Sequence, residues 1–213
     1  MIKTIFWDFD GVLMDSNIVR DQGFLEVLKE YPKEEVAQLM DFHQNNGGLS
    51  RYVKFRYFFE DIRKEAVTEE KIQELAQLFS AIMKKLLVKP SLLIQETIDF
   101  VKKNQGQYVM YITSGSDQKE LRHLCKEMNI NHFFKSIHGS PKPKKQWIKD
   151  LIQEHHYNPS ECVIVGDSIN DLEAATANDI FFIGFNNPQL KDKFVYFDSF
   201  NGIDEPLENY LKK

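Results

Sequence analysis

Four short apolar runs punctuate the chain at lengths that suit buried strands: IKTIFW from residue 2, YVMYI at 108 to 112, CVIV at 162 to 165 and IFFIGF at 180 to 185. Between the last three, apolar residues recur at helical spacing, with Leu121, Leu124, Cys125 and Met128 on one face and Trp147, Ile148, Leu151 and Ile152 on another. Strand followed by helix, repeated, predicts a parallel sheet covered by helices: an α/β, Rossmann-like core. Three of the runs lead straight into polar clusters, Asp8 and Asp10, Thr113 and Ser114, and Asp167 and Asp171. In an open parallel sheet such positions lie at the carboxyl edge, where ligands bind.

Residues 16 to 88 leave this rhythm. They contain no strand pattern, and Ile72, Leu75, Phe79, Ile82 and Leu86 form a helical stripe behind Thr68, an N-cap followed by Glu69 and Glu70. The segment leaves after the first strand's loop and returns near Pro90, which predicts an inserted α-helical cap over residues 16–88. The core is then built from residues 1–15 and 89–213. Gly47-Gly48 divides the insert and reads as a mobile turn, and Phe194 to Phe197 reads as one more short strand.

With 213 residues, 42% of them apolar, the chain can bury an ordinary core. Its 27 basic and 32 acidic residues give a net charge of −5, which argues against general affinity for nucleic acid. The segment GGLSRYVKFRYFF mixes basic and aromatic residues, but aromatics at helical spacing face a core rather than bases. Cys125 and Cys162 lack CxxC spacing, which excludes a disulfide framework or thiolate zinc site and fits a reducing cytoplasm. His155 and His156 are adjacent, the wrong spacing for one metal ion. Neither a signal-peptide core nor an apolar run of membrane-spanning length is present, so no membrane partner is expected.

The chemistry concentrates in TIFWDFDGVLMDS, where Asp8 and Asp10 leave a strand two positions apart. At ~5 Å and an effective dielectric near ~20, two such charges repel by about 3 kcal/mol, so a cation is needed between them. Asp167 adds a third carboxylate, and an all-oxygen donor set suits Mg²⁺, which in turn attracts phosphate. Gly11 lets backbone N–H groups approach an anion closely. Taken singly, these Asp residues read equally as turn formers and caps; the ordered set is what points to a metal site.

DFDGVLMDS, YITSGS, GSPKPKKQWI and GDSINDLEAA stand in the order of four motifs that together resemble those of the haloacid dehalogenase-like hydrolase superfamily. The helical insert falls where that family's type-one cap falls. The resemblance extends to the phosphatase branch that includes phosphoglycolate phosphatases and β-phosphoglucomutases. It implies that Asp8 is the nucleophile, forming an aspartyl phosphate, and that Asp10, directed toward the cap, is the general acid and base. It also implies Mg²⁺ held by the Asp8 side chain, the Asp10 backbone carbonyl and Asp167, with Asp171 contacting metal-bound water or serving only as a first-turn acid. Thr113 would supply the second motif's hydroxyl and Ser114 a backbone N–H. The third motif's lysine is open among Lys142, Lys144 and Lys145, with Lys144 favoured. In the cap, Arg51 and Lys54 either reach the substrate's leaving group or form a solvated face, and His43 lies near enough in sequence to join them.

Dehalogenases of this superfamily lack the second carboxylate, so Asp10 argues for phosphoryl transfer. The expected activity is Mg²⁺-dependent hydrolysis of a small soluble phosphomonoester. A sugar phosphomutase would share every residue named, and a phosphate-binding module without turnover is the alternative outside catalysis. Substrate identity and oligomeric state are not written in these motifs.

Overall fold

The computed structural model describes residues 1–191 and 194–211, so 192–193 and 212–213 of the expected core segment lie outside the described residues. Strand β1 (Thr4–Trp7) stands near the middle of a six-stranded parallel sheet. The others are β2 (Val109–Asp117), β3 (Ser136–Ser140), β4 (Cys162–Gly166), β5 (Phe181–Phe185) and β6 (Tyr196–Phe197), in the order β3-β2-β1-β4-β5-β6. Thr4 pairs with Val109 on one side and Cys162 on the other, so the first, second and fourth strands end side by side. Burial on both faces explains the unbroken apolar runs.

Side chains alternate across the sheet. Phe6, Tyr111 and Ile164 pack with Ile148, Leu151, Ala174 and Ala175 from α7 (Lys144–Glu154) and α8 (Ile169–Thr176). Ile5, Trp7, Ile112 and Val163 face the opposite way. There they meet Ile98 and Val101 of α5 (Gln95–Lys103) and Leu121 and Leu124 of α6 (Gln118–Glu127). The sequence pattern missed β3, an edge strand whose SIHGS segment carries one large aliphatic residue, and it ended β2 too early, because the polar TSGSD stretch continues the strand.

The insert folds as α1 (Asn17–Val27), α2 (Lys33–Asn45), α3 (Arg51–Tyr57), which runs on as a π-helical turn over Phe58–Ile62, and α4 (Glu69–Leu87). Thr68 caps α4, accepting from Lys71 N at 3.2 Å. The buried stripe is Ile72, Leu75, Ala76, Phe79, Met83 and Leu87; Met83 and Leu87 take the places expected of Ile82 and Leu86, which are only half-buried. Phe24 lies 4.6 Å from Phe79 and 5.4 Å from Phe55, ring centroid to centroid, so α1, α3 and α4 share one aromatic centre. In the tail, β6 is shorter than the expected Phe194 to Phe197 strand.

Candidate active site

β1 hands the chain to a tight loop. Asp8 N still bonds Val165 O at 2.9 Å, Gly11 N then bonds Met14 O at 2.8 Å, and Gly11 adopts φ +76. A Cβ there would stand 2.0 Å from Asp167 Oδ2, so only glycine lets the first and fourth strand ends come this close. Carboxylate oxygens of Asp8, Asp167 and Asp171 gather within 4.8 Å of one another. Burial, then the charge of Asp171, pushes the Asp8 carboxyl up to about 7; burial and then Asp8 raise Asp167 well above the usual range. Three hard oxygen donors that repel one another match what a divalent cation requires.

Lys144 closes the cluster from beneath. Its Nζ is 2.9 Å from Asp8 Oδ1, an ion pair rather than an aligned hydrogen bond, and it also donates to Asp171 Oδ1. Burial works against the ammonium, but the charges of Asp171 and Asp8 hold its pKa above the usual lysine value. Asp171 Oδ2 meanwhile accepts from Ser168 N at 3.1 Å and Ser168 Oγ at 2.6 Å, completing the capping box of α8. Asp171 therefore joins lysine, helix cap and carboxylate cluster.

Asp10 is held apart from this cluster. Its Oδ1 accepts from Arg20 Nε at 2.5 Å and from Ser16 Oγ, and its Oδ2 from Ser116 Oγ at 2.5 Å. Burial alone would raise its pKa; the Arg20 charge and the bonds from Ser116, Ser16 and Arg20 outweigh that and lower it. Its side chain is thus no part of the metal-type cluster, and only its backbone carbonyl is left for the expected metal role.

Several expectations need correction. Lys142 is not at the cleft: it pairs with Asp150 and sits 3.8 Å above the Trp147 ring, where a cation–π contact and a nearby carboxylate satisfy it. Thr113 does not line the cleft either, whereas Ser114, Gly115 and Ser116 do, in the stretch where the β2–β3 register shifts. Of the two hydroxyls, that of Ser114 is the one on a cleft-lining residue. Thr113 Oγ1 stays buried without a partner. Asp117 caps α6, accepting from Lys119 N and Glu120 N at 3.0 Å each.

The cleft, about 520 Å³, lies between cap and core. Arg51 and Lys54 are buried on its wall, which rules out the solvated face. Arg51 Nη1 bonds Glu120 Oε2 at 2.6 Å and Ser80 Oγ at 2.7 Å, while Lys54 Nζ lies 2.6 Å from His43 Nδ1. The Gly47-Gly48 turn seats the cap: a Cβ on Gly115 would be 2.3 Å from Gly48 O. Tyr52 Oη adds a bond to Asp117 Oδ2 at 2.7 Å.

Sequence reasoning overlooked Arg20, Glu120, Ser16 and the bond from Ser116 to Asp10. The signal existed for two of them. Arg20 shares the buried stripe of α1 with Phe24 and Val27, and Glu120 lies one turn before Leu124 on α6. A charge phased with a helix's apolar face must meet a buried partner.

The chain is similar to known proteins in sequence and in fold. The sequence profile of the haloacid dehalogenase-like hydrolases matches residues 5–185. A phosphoglycolate phosphatase of Vibrio cholerae is 26% identical over 184 residues, spanning 82% of this chain and 80% of its own. The β-phosphoglucomutase of Clostridium difficile superposes with a TM-score of 0.77 at 18% identity, covering 99% of this chain and 97% of its own. Magnesium-bound YfnB of Bacillus subtilis gives a TM-score of 0.66 at 18% identity, over 92% and 93% of the two chains.

Proposed function

The chain belongs to the haloacid dehalogenase-like hydrolases, as an enzyme acting on phosphate esters, and on that premise we propose that it is a Mg²⁺-dependent phosphatase of small soluble phosphomonoesters. The observation that carries this reading is the separation of two neighbouring carboxylates. Asp8 lies in the Lys144, Asp167 and Asp171 cluster, and Asp10 is held by Arg20, Ser16 and Ser116. Two carboxylates in unlike surroundings suit a nucleophile and a general acid–base.

The Asp8 and Asp167 side chains, with the Asp10 carbonyl, would hold Mg²⁺, and Asp171 would orient them through Lys144 and Ser168. Bound there, the ion would neutralise charge on the phosphoryl oxygens. In the first step a carboxylate oxygen of Asp8 bonds to phosphorus, the ester P–O bond breaks, and Asp10, which must enter this step protonated against the Arg20 charge that favours its ionised form, gives its proton to the leaving oxygen. In the second, Asp10 takes a proton from water, whose oxygen attacks phosphorus, and the Asp8 O–P bond breaks to release phosphate. Lys144, the Ser114 hydroxyl and the Gly115 N–H would offset charge on the transferred group. Arg20, Arg51 and Lys54 exclude water on the cap side.

A cytoplasmic setting is supported by two buried free cysteines, and no helix among the described residues is long and apolar enough to cross a membrane. The test is phosphate release from a phosphoester panel with Mg²⁺, assayed beside isomer formation to separate hydrolysis from phosphomutase activity. Asp8→Asn should fold and lose turnover; undiminished release by that variant discards the assignment.

A further inference from the structure

The loop after β5 reaches across the sheet to the carboxylate cluster. In the strand order β1-β4-β5 the end of β5 is two places from β1, yet Asn186 Nδ2 donates to Gly11 O at 3.0 Å, so the bond spans the intervening end of β4. The next residue takes the β4 loop itself: Asn187 Nδ2 donates to Asp167 O at 2.7 Å. Two consecutive side-chain amides thus hold, one each, the backbones of the two loops that carry Asp8, Asp10 and Asp167. Both residues follow position 185, where the match to the family profile ends.

The loop is stiff where it makes these bonds. Asn186 has φ +54, a left-handed conformation that asparagine accepts more readily than most residues. Asn187 Oδ1 accepts from Gln189 N at 3.1 Å, capping the 3-10 turn Pro188–Leu190, so this amide is fixed at both ends. Leu190 is buried and anchors the turn in the core. Asn186 is exposed and Asn187 half-buried, so apolar packing explains neither side chain.

What they hold is under electrostatic load. The oxygens of Asp8, Asp167 and Asp171 that gather within 4.8 Å repel one another, which works to part the first and fourth strand ends. Lys144 contacts Asp8 and Asp171; Asp167 is held by amides, Asn187 on its carbonyl and Asn17 Nδ2 on its Oδ2 at 3.2 Å. Gly11 N bonds Met14 O at 2.8 Å and Gly11 O accepts from Asn186, so both peptides of Gly11 are fixed, including the one that carries the Asp10 carbonyl. Mg²⁺ demands near-octahedral oxygen donors at about 2.1 Å, so donors drawn from separate loops bind it well only if those loops are set beforehand.

We infer that Asn186 and Asn187 are positioning residues that brace the β1 and β4 loops at the separation a divalent cation needs, and so set the affinity for Mg²⁺. The inference rests on the metal reading of the carboxylate cluster. Neither amide would touch the ion; each acts through a backbone carbonyl, as outer-shell partners do when they orient ligands.

The test is calorimetric titration with Mg²⁺, without substrate, at pH 8 and well below the melting temperature of each variant. Asn186→Gly keeps the left-handed backbone and deletes only the amide, and should weaken Mg²⁺ binding about tenfold, the scale of losing an outer-shell contact. Asn187→Asp keeps the shape and the cap on Gln189 N but turns an oxygen toward Asp167 O. An added negative charge beside the cluster would tighten cation binding by attraction alone, whereas loss of the brace weakens it, so the sign decides. Binding by Asn187→Asp should be weaker. Gln189→Ala, on the same turn but giving only its backbone N–H to it, should stay within about twofold of the unsubstituted protein, since no outer-shell contact is lost. Unchanged affinity in Asn186→Gly, or affinity in Asn187→Asp that is unchanged or tighter, overturns the brace and leaves the metal reading standing. Absence of Mg²⁺ binding by the unsubstituted protein overturns both. Asn186→Gly keeps the test open should Asn187→Asp fail to fold.

Discussion

Lys144 Nζ lies 2.9 Å from Asp8 Oδ1 while also donating to Asp171 Oδ1, so one buried ammonium ties the end of β1 to the first turn of α8. Removing one partner of such a pair strands the others in low dielectric. Lys144→Met should therefore lower stability by about 3–5 kcal/mol in denaturant titrations, as for other broken buried pairs. Phosphatase activity should fall by about 10²-fold or more, the scale for losing one fixed transition-state donor. A stable Lys144→Met protein with normal turnover would show that the ion pair is ornamental, and Lys142, out on Trp147, could not substitute for it.

The same cluster fixes a pH dependence. Burial and Asp171 raise the Asp8 carboxyl from 3.8 to about 7, and Asp167 shifts the same way. A folded-state pKa above the unfolded one contributes stability that is fully present below about pH 4 and is lost as pH rises through about 7. Mg²⁺ would replace the proton. The stabilisation on adding Mg²⁺, read from the rise in melting temperature, should consequently grow from pH 5.5 to 7.5, toward a free energy of about 2.7 kcal/mol at a hundredfold excess over Kd. Asp8→Asn should flatten that growth, and chelation should abolish turnover. An increment independent of pH would argue against the carboxylate cluster as the binding site.

What the sequence revealed divides along physical lines. The central strands were legible because burial on both faces leaves unbroken apolar runs, as in Ile5 to Trp7. Edge strand β3 was not, since SIHGS needs few apolar residues. Asp8, Asp10 and Asp167 could be found because their spacing reports strand ends, and Lys144 because it follows the motif into a helix. Thr113 against Ser114 could not be decided without knowing which face of β2 meets the cleft. Arg20 and Glu120 were missed because an ion pair between helices 100 positions apart leaves no local pattern, only a charge in an apolar phase.

Asp10 invites a separate test. Ser116 Oγ donates to its Oδ2 at 2.5 Å, one of the bonds that, with the Arg20 charge, hold its pKa down against burial. Ser116→Ala should raise that pKa, move the limb of the pH–rate profile that reports Asp10 to higher pH, and lower kcat by about tenfold, a fraction of what general acid–base catalysis supplies. An unshifted profile would mean that another group sets that limb.

Cap seating depends on backbone meeting backbone. A Cβ on Gly115 would stand 2.3 Å from Gly48 O and 3.0 Å from Gly48 C, and neither can rotate away as a side chain could. Gly115→Ala should therefore lift the Gly47-Gly48 turn off the core and loosen the Tyr52–Asp117 and Arg51–Glu120 contacts beside it. Because those contacts close the cleft over Asp10, kcat/KM should drop by more than about tenfold, in line with the sensitivity of catalysis to small misplacements. Proteolysis within the cap should quicken, and small-angle scattering should report a wider particle. Gly47→Ala, whose added carbon meets only Ser168 Cβ at 4.0 Å, should cost far less. Equal losses from the two substitutions would point to turn flexibility, rather than close seating, as what these glycines provide.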